Sequence, residues 1–180
     1  MSRAEGAPRL LDAAIALGVE GGVSALTVQG IADAAGVSKA LVLYHFGDKR
    51  AVFTALARRL ADADAAAMQE ASAQEDPIEA WRALGSDAGL AKRRALLGAL
   101  VQELPVRRGA TALLATRRAG ATALAAAMLE SAGLRPRIAP EIIGTIALQQ
   151  LDGLAVSSVP TNESEATLDA FALALLSLGE

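Results

Sequence analysis

The sequence predicts an all-α fold of about nine helices, and three kinds of observation lead there. Of 180 residues, 43 are Ala and 27 are Leu, while aromatics make up 3%. Ala and Leu are among the best helix formers, whereas strands favour β-branched and aromatic side chains. Apolar residues recur at i, i+3, i+4 along most of the chain, and cap or break residues divide it into pieces of helical length.

The first helix is expected from about Ala4 to Glu20. Leu11, Ala14 and Ile15 carry its stripe, Leu10 and Leu17 broaden it, and Gly21-Gly22 stops it. Thr27 is placed to cap a short helix with Val28, Ile31, Ala32 and Ala35 inward, broken at Gly36. Ser38 opens a second short helix through about Tyr44, and Asp48 caps a long one to about Ala73. Asp76-Pro77-Ile78-Glu79 joins an N-cap, a first-turn proline and a capping-box glutamate, starting a helix that carries Trp81 and Leu84 and stops near Gly89. Leu90 to Leu104 ends at Pro105, and Arg107 to Ala132 ends at Gly133. Pro136 and Pro140 bracket a turn. Helix 141–157 follows, with Ile143, Ile146, Ala147, Leu151 and Leu154 apolar and Pro160 closing it. Asn162-x-x-Glu165 caps the last helix, 163–178, where Leu168, Phe171, Ala172, Leu175 and Leu176 form one stripe.

Composition excludes several kinds of function. Cysteine is absent and His45 is the lone histidine. A disulfide framework, a thiolate nucleophile, a cysteine or His-cluster metal site and any triad needing two histidines are therefore ruled out. No metal and no cofactor are expected, and a helical enzyme would need convergent acids or a nucleophile–base pair that the chain does not display. Arg3, Glu5 and Arg9 interrupt the N-terminus, so no signal peptide is read there. Uncharged runs such as Gly21 to Ala32 fall short of the ~20 residues that a spanning helix needs. The expectation is a soluble cytoplasmic protein without a membrane partner, its positive mean hydropathy buried in a core or a subunit interface. The net charge is −3, unevenly spread: residues 1–60 carry seven Lys/Arg against five acids, residues 61–180 ten against fifteen. An anionic partner at the N-terminal end fits that asymmetry, as does an ordinary mixed surface.

Two short helices parted by Gly36, between longer ones, outline a helix-turn-helix, in which the second short helix enters the major groove. Leu26-Thr27-Val28-x-x-Ile31-Ala32-x-x-Ala35-Gly36-Val37-Ser38-Lys39, followed by Leu43-Tyr44-His45-Phe46-Gly47-Asp48-Lys49, closely resembles the DNA-binding signature of the TetR family of bacterial repressors. Upstream, Leu10-Leu11-Asp12-Ala13-Ala14 and Glu20-Gly21-Gly22 match that family's first helix. The resemblance is dense over residues 9–56. Beyond them it rests on helix number and order and on Asp152-Gly153-Leu154 in the penultimate helix. It implies a DNA-binding domain at 1–50 and a helical effector-binding and dimerisation domain at 51–180. Activity would be that of a ligand-responsive homodimeric repressor, binding a palindromic operator on double-stranded DNA and releasing it when a small-molecule effector binds. Dimerisation would run through helices 141–157 and 163–178, where Leu168, Phe171, Leu175 and Leu176 offer apolar surface either to a partner or to the monomer itself.

Each candidate contact has a chemical reason. Thr27 and Ser38 begin helices, where free amides and the positive dipole end favour phosphate; their hydroxyls can cap the helix or donate to phosphate oxygen. In the recognition helix 38–44, Lys39 can donate to guanine or to phosphate, and Ala40 and Leu41 offer apolar contact to thymine methyls. Tyr44 and His45 stand where the family places an aromatic and an imidazole near the backbone, and Lys49 matches its phosphate-contacting lysine. Val37 and Phe46 are read as core, and Arg50 as surface. Two residues depart from the pattern: Leu43 where the family has Tyr, and Gly18 where it has Phe. They motivate the alternative of a helical dimeric interaction protein that has lost specific DNA binding. For an effector, the large soft side chains Met68, Trp81 and Met128 and the polar Gln102 and Gln149 are candidates, each open to a plainer role as core or solvated face. The doublets Arg58-Arg59, Arg93-Arg94, Arg107-Arg108 and Arg117-Arg118 are expected on solvated faces, with Arg93-Arg94 and Arg107-Arg108 open to an anionic effector.

Overall fold

The computed structural model describes residues 3–103, 107–157 and 161–180. The expected stops at Pro105 and Pro160, the Asn162 cap and the side chains of Arg107 and Arg108 lie outside what is described. The helices are α1 (Arg3–Ala25), α2 (Val28–Ala35), α3 (Lys39–Phe46), α4 (Lys49–Ser72), α5 (Pro77–Ser86), α6 (Ala88–Glu103), α7 (Arg107–Ser131), α8 (Pro140–Val156) and α9 (Thr161–Leu176). Among the described residues there is no strand, only an isolated bridge between Pro136 and Gly179, beside which Glu180 donates to the Arg135 carbonyl at 2.8 Å. The expected all-α architecture is the one the chain adopts.

Two expected helix ends move. Gly21-Gly22 does not stop the first helix: Gly22 takes φ 69°, ψ −176° and kinks it, and α1 resumes to Ala25. Only glycine enters that region without a Cβ clash. Asp87 rather than Gly89 separates α5 from α6, because its carboxylate accepts from the Leu90 amide at 2.8 Å and draws Gly89 into the helix. Gly120, inside α7, lies where α7 crosses α4: a Cβ there would stand 2.8 Å from the Ala65 carbonyl oxygen.

Packing produces two cores, joined by α4 and by α7, which buries Leu113 in the first and Leu124 in the second. The first gathers Leu10, Leu26, Ile31, Val42 and Phe53 with Leu96, Leu97 and Leu100 of α6. The second surrounds Trp81 with Met68, Leu124, Met128, Leu151 and Leu168. α4, of 24 residues and so ~36 Å long, contributes to both. The stripe on α9 resolves toward the monomer. Leu168 and Leu175 are buried and Leu176 packs on the same core. Phe171 stacks on Trp81 at 4.7 Å between centroids, and the indole N–H donates to the Leu168 carbonyl. Apolar surface on the last two helices is instead offered by Ile142 (53% exposed), Ile146, Val156 and Leu173 (70%).

The arginine doublets also divide. Adjacent helical positions lie about 100° apart, so Arg93 and Arg118 are solvated while Arg94 and Arg117 are buried. Asp64 of α4 holds both. Its Oδ1 accepts from Arg94 Nε and its Oδ2 from Arg117 Nε, each at 2.8 Å. Arg117 continues to both oxygens of Asp152 on α8, at 2.6 and 3.0 Å, and Arg94 Nη1 donates to the Leu84 carbonyl. Desolvation opposes the charge on Arg117, but the Asp152 hydrogen bonds and the nearby Asp64 carboxylate outweigh it and hold the guanidinium above its ordinary range.

Candidate nucleic-acid interface

Local chemistry fixes the α2–α3 pair. Thr27 Oγ1 accepts from the Gly30 amide at 2.9 Å, capping α2, and Ser38 Oγ accepts from the Leu41 amide at 3.2 Å, capping α3. Between them Gly36 takes φ 65°, ψ 37°, and Val37 donates to the Ala32 carbonyl at 2.9 Å. This left-handed turn sends α3 off in a new direction. Val42 is fully buried and Val37 and Phe46 pack half-buried on the first core, as expected, which fixes the roll of α3.

With that roll, Lys39, Ala40, Leu43 and Tyr44 form the outward face, Leu43 38% and Tyr44 61% exposed. α3 carries no acid, and its own N-terminus is capped by Ser38, as that of α2 is by Thr27. Both capping hydroxyls still have their own O–H to donate, so the capping and phosphate roles are compatible. Lys49 is exposed at the start of α4, whose N-cap Asp48 accepts from Ala51 at 2.8 Å; its ammonium lies 4.9 Å from the Phe53 ring centroid. That contact orients the charge without spending it. His45 is half-buried, its ring between those of Tyr44 (5.5 Å) and Phe46 (6.3 Å).

One residue is displaced from its expected place. Leu41 is half-buried, on the flank of α3 rather than among the outward side chains. Leu43, read from sequence only as a departure, stands there instead. Helical spacing carried the signal, since 39, 40, 43 and 44 share a face.

The five effector candidates do not converge. Met68, Trp81 and Met128 are buried in the second core. Gln102 is exposed near the end of α6, and Gln149 is exposed on α8, one turn from Ile146. None of the five lines any of three cavities formed along α4. No group of three metal-ligating side chains occurs among the described residues, and no described helix is long and apolar enough to cross a membrane.

Residues 10–56 match the family described as bacterial regulatory proteins, tetR family. No curated protein matches the sequence. Among solved structures, the fold is similar to that of a transcriptional regulator from Rhodococcus sp. Rha1, at 24% identity over 97% of both chains with a TM-score of 0.77. Salmonella enterica GusR shares 17% identity over 96% of this chain and 94% of its own, with a TM-score of 0.74. The transcriptional regulator FadR from Bacillus subtilis, in complex with stearoyl-CoA, shares 18% over 94% and 97%, with a TM-score of 0.68.

Proposed function

We propose that the chain is a transcriptional regulator of the tetR family, a ligand-responsive homodimeric repressor that acts in the cytoplasm on a palindromic operator. The observation that carries this reading is the outward face of α3, acid-free and beginning at a capped helix N-terminus, inside the segment that matches the family.

In this reading residues 1–50 dock on DNA and residues 51–180 bind effector and partner. Thr27, Ser38 and Lys49 hold phosphates, the first two by O–H and helix-end amides, the third by charge. Lys39 reaches guanine O6/N7, while Ala40 and Leu43 touch thymine methyls, with Leu41 beside them. Tyr44 and His45 lie toward the backbone at the helix end. Helices α8 and α9 pair with a second copy, a reading supported by exposed Ile142, Ile146, Val156 and Leu173. Two-fold symmetry then sets half-sites about one helical turn apart, ~34–36 Å. The small-molecule effector is supported by the FadR complex, which shares the fold.

Fluorescence anisotropy on the DNA upstream of the protein's own gene, beside a shuffled duplex of equal composition, tests the reading at ~50 and ~200 mM salt. Binding at least about a hundredfold tighter to the upstream duplex is expected, a threshold set below the ~10³–10⁷ that separates specific from non-specific complexes. Equal binding to both, or to neither, favours the helical dimeric interaction protein.

A further inference from the structure

Along one side of α4 runs a groove unrelated to the α3 face. A cavity of about 1360 Å³ lies between α1, α4 and the start of α6. It shares Leu60, Ala63 and Arg93 with a second cavity of about 300 Å³ between α4 and α6. Leu11, Ile15 and Val19 of α1 supply its apolar wall, together with Leu60.

The charged groups around it are not balanced. Asp12 is paired with Arg59 at 2.6 Å, whereas Asp48, capping α4 at the Ala51 amide (2.8 Å), keeps its charge. Arg50, Arg58 and Arg93 make no ion pair among the described residues, against two lining acids likewise outside any ion pair, Asp48 and Asp62, which leaves the basic groups in excess. Arg94, in the wall of the smaller cavity, is buried with no hydrogen-bond partner at Nη2. An apolar wall beside an excess of guanidinium groups suits a ligand with both characters.

We propose that this groove binds an amphipathic carboxylate: its carboxylate pairs with Arg58 and Arg93, and its apolar chain lies on Leu11, Ile15, Val19 and Leu60. α1 belongs to the DNA-binding head, while α6 packs on that head through Leu96, Leu97 and Leu100 and is tied to the body by Arg94, which donates to Asp64 and to the Leu84 carbonyl. A ligand seated between α1 and α6 therefore shifts the head against the body. This second part rests on the regulator reading above; the binding site itself does not.

The test is calorimetric titration of the full chain, free of DNA, with dodecanoate below its micellar concentration, beside dodecanol and dodecyltrimethylammonium. Saturable dodecanoate binding is expected, with the alcohol and the cation weaker by about tenfold or more, the scale of a charge-assisted contact. The double variant Arg58→Gln/Arg93→Gln and the single variant Ala63→Glu should each weaken dodecanoate by a similar factor. All three positions are exposed, so the helical circular dichroism and melting temperature should stay unchanged. Equal binding of the three amphiphiles, binding indifferent to both variants, or no saturable binding overturns the site. Failure of the ligand-free protein to bind upstream DNA would instead sink the regulator reading and leave the site standing. Dodecanoate bound at the groove with operator affinity unchanged overturns the coupling to the head.

Discussion

Gly18 of α1 lies directly against Leu96 of α6: a Cβ built on the glycine would stand 2.9 Å from Leu96 Cδ2 and 3.3 Å from Leu26 Cδ1. The aromatic that the resembling family carries at this position is replaced here by a leucine from another helix. Gly18 is therefore a packing partner, and the ~1 kcal/mol helix cost of a glycine is offset by the contact it admits. Gly18→Phe should overpack the site and destabilise by about 1–3 kcal/mol, and Leu96→Ala alone should cost about 2–5 kcal/mol. Together they should cost less than the sum, since the ring occupies the space the leucine leaves. Urea denaturation of the two single variants and the double variant checks this; additive losses would deny the contact.

Asp64 holds two buried arginines from different helices. Removing one partner of a buried ion pair leaves charge without compensation, so Asp64→Asn should lose about 3–5 kcal/mol. Arg118→Ala, next to Arg117 but solvated, should stay within about 0.5 kcal/mol. Equal urea midpoints for the two variants would contradict the network.

The exposed pair Ile142 and Ile146 lies one turn apart on α8, away from the second core. Ile142→Lys/Ile146→Lys should leave helicity intact and convert a dimer to a monomer in sedimentation velocity. An unchanged sedimentation coefficient would move the dimer interface off this face.

Lys49 and Thr27 are assigned to phosphates and not to bases. Lys49→Ala/Thr27→Ala should weaken binding to every duplex alike and make the salt dependence shallower by about one unit of slope for the lysine. The lost α2 cap adds about 1 kcal/mol of instability, which thermal melting registers separately. Unchanged affinity would remove this docking geometry.

Much of this was legible in the sequence because it is local. The caps at Thr27, Ser38, Asp48 and Asp76 are each read from a side chain and an amide two or three residues away, and all four form. The roll of α3 was less legible: Val42 faces the core, which turns Leu41 aside and brings Leu43 outward. What sequence did not disclose depends on residues distant in the chain. Nothing near Gly18 announces Leu96, and nothing near Arg94 or Arg117 announces Asp64, 30 and 53 positions away. For the same reason the α9 stripe was ambiguous: Phe171 meets Trp81 of α5 within the same chain, and periodicity alone cannot tell that partner from a second copy. The groove along α4 is not legible for the same reason, being walled by three helices, while Met68 and Met128 lie together in the second core.

The most direct test of the central claim, that the outward face of α3 reads sequence, is selection of bound duplexes from a random pool by the wild-type chain and by Lys39→Ala. Two inverted half-sites with centres about 10 base pairs apart should be enriched, and the substitution should relax one position in each half-site while leaving the spacing intact. A pool that stays random, or a half-site preference that Lys39→Ala leaves unaltered, would contradict it.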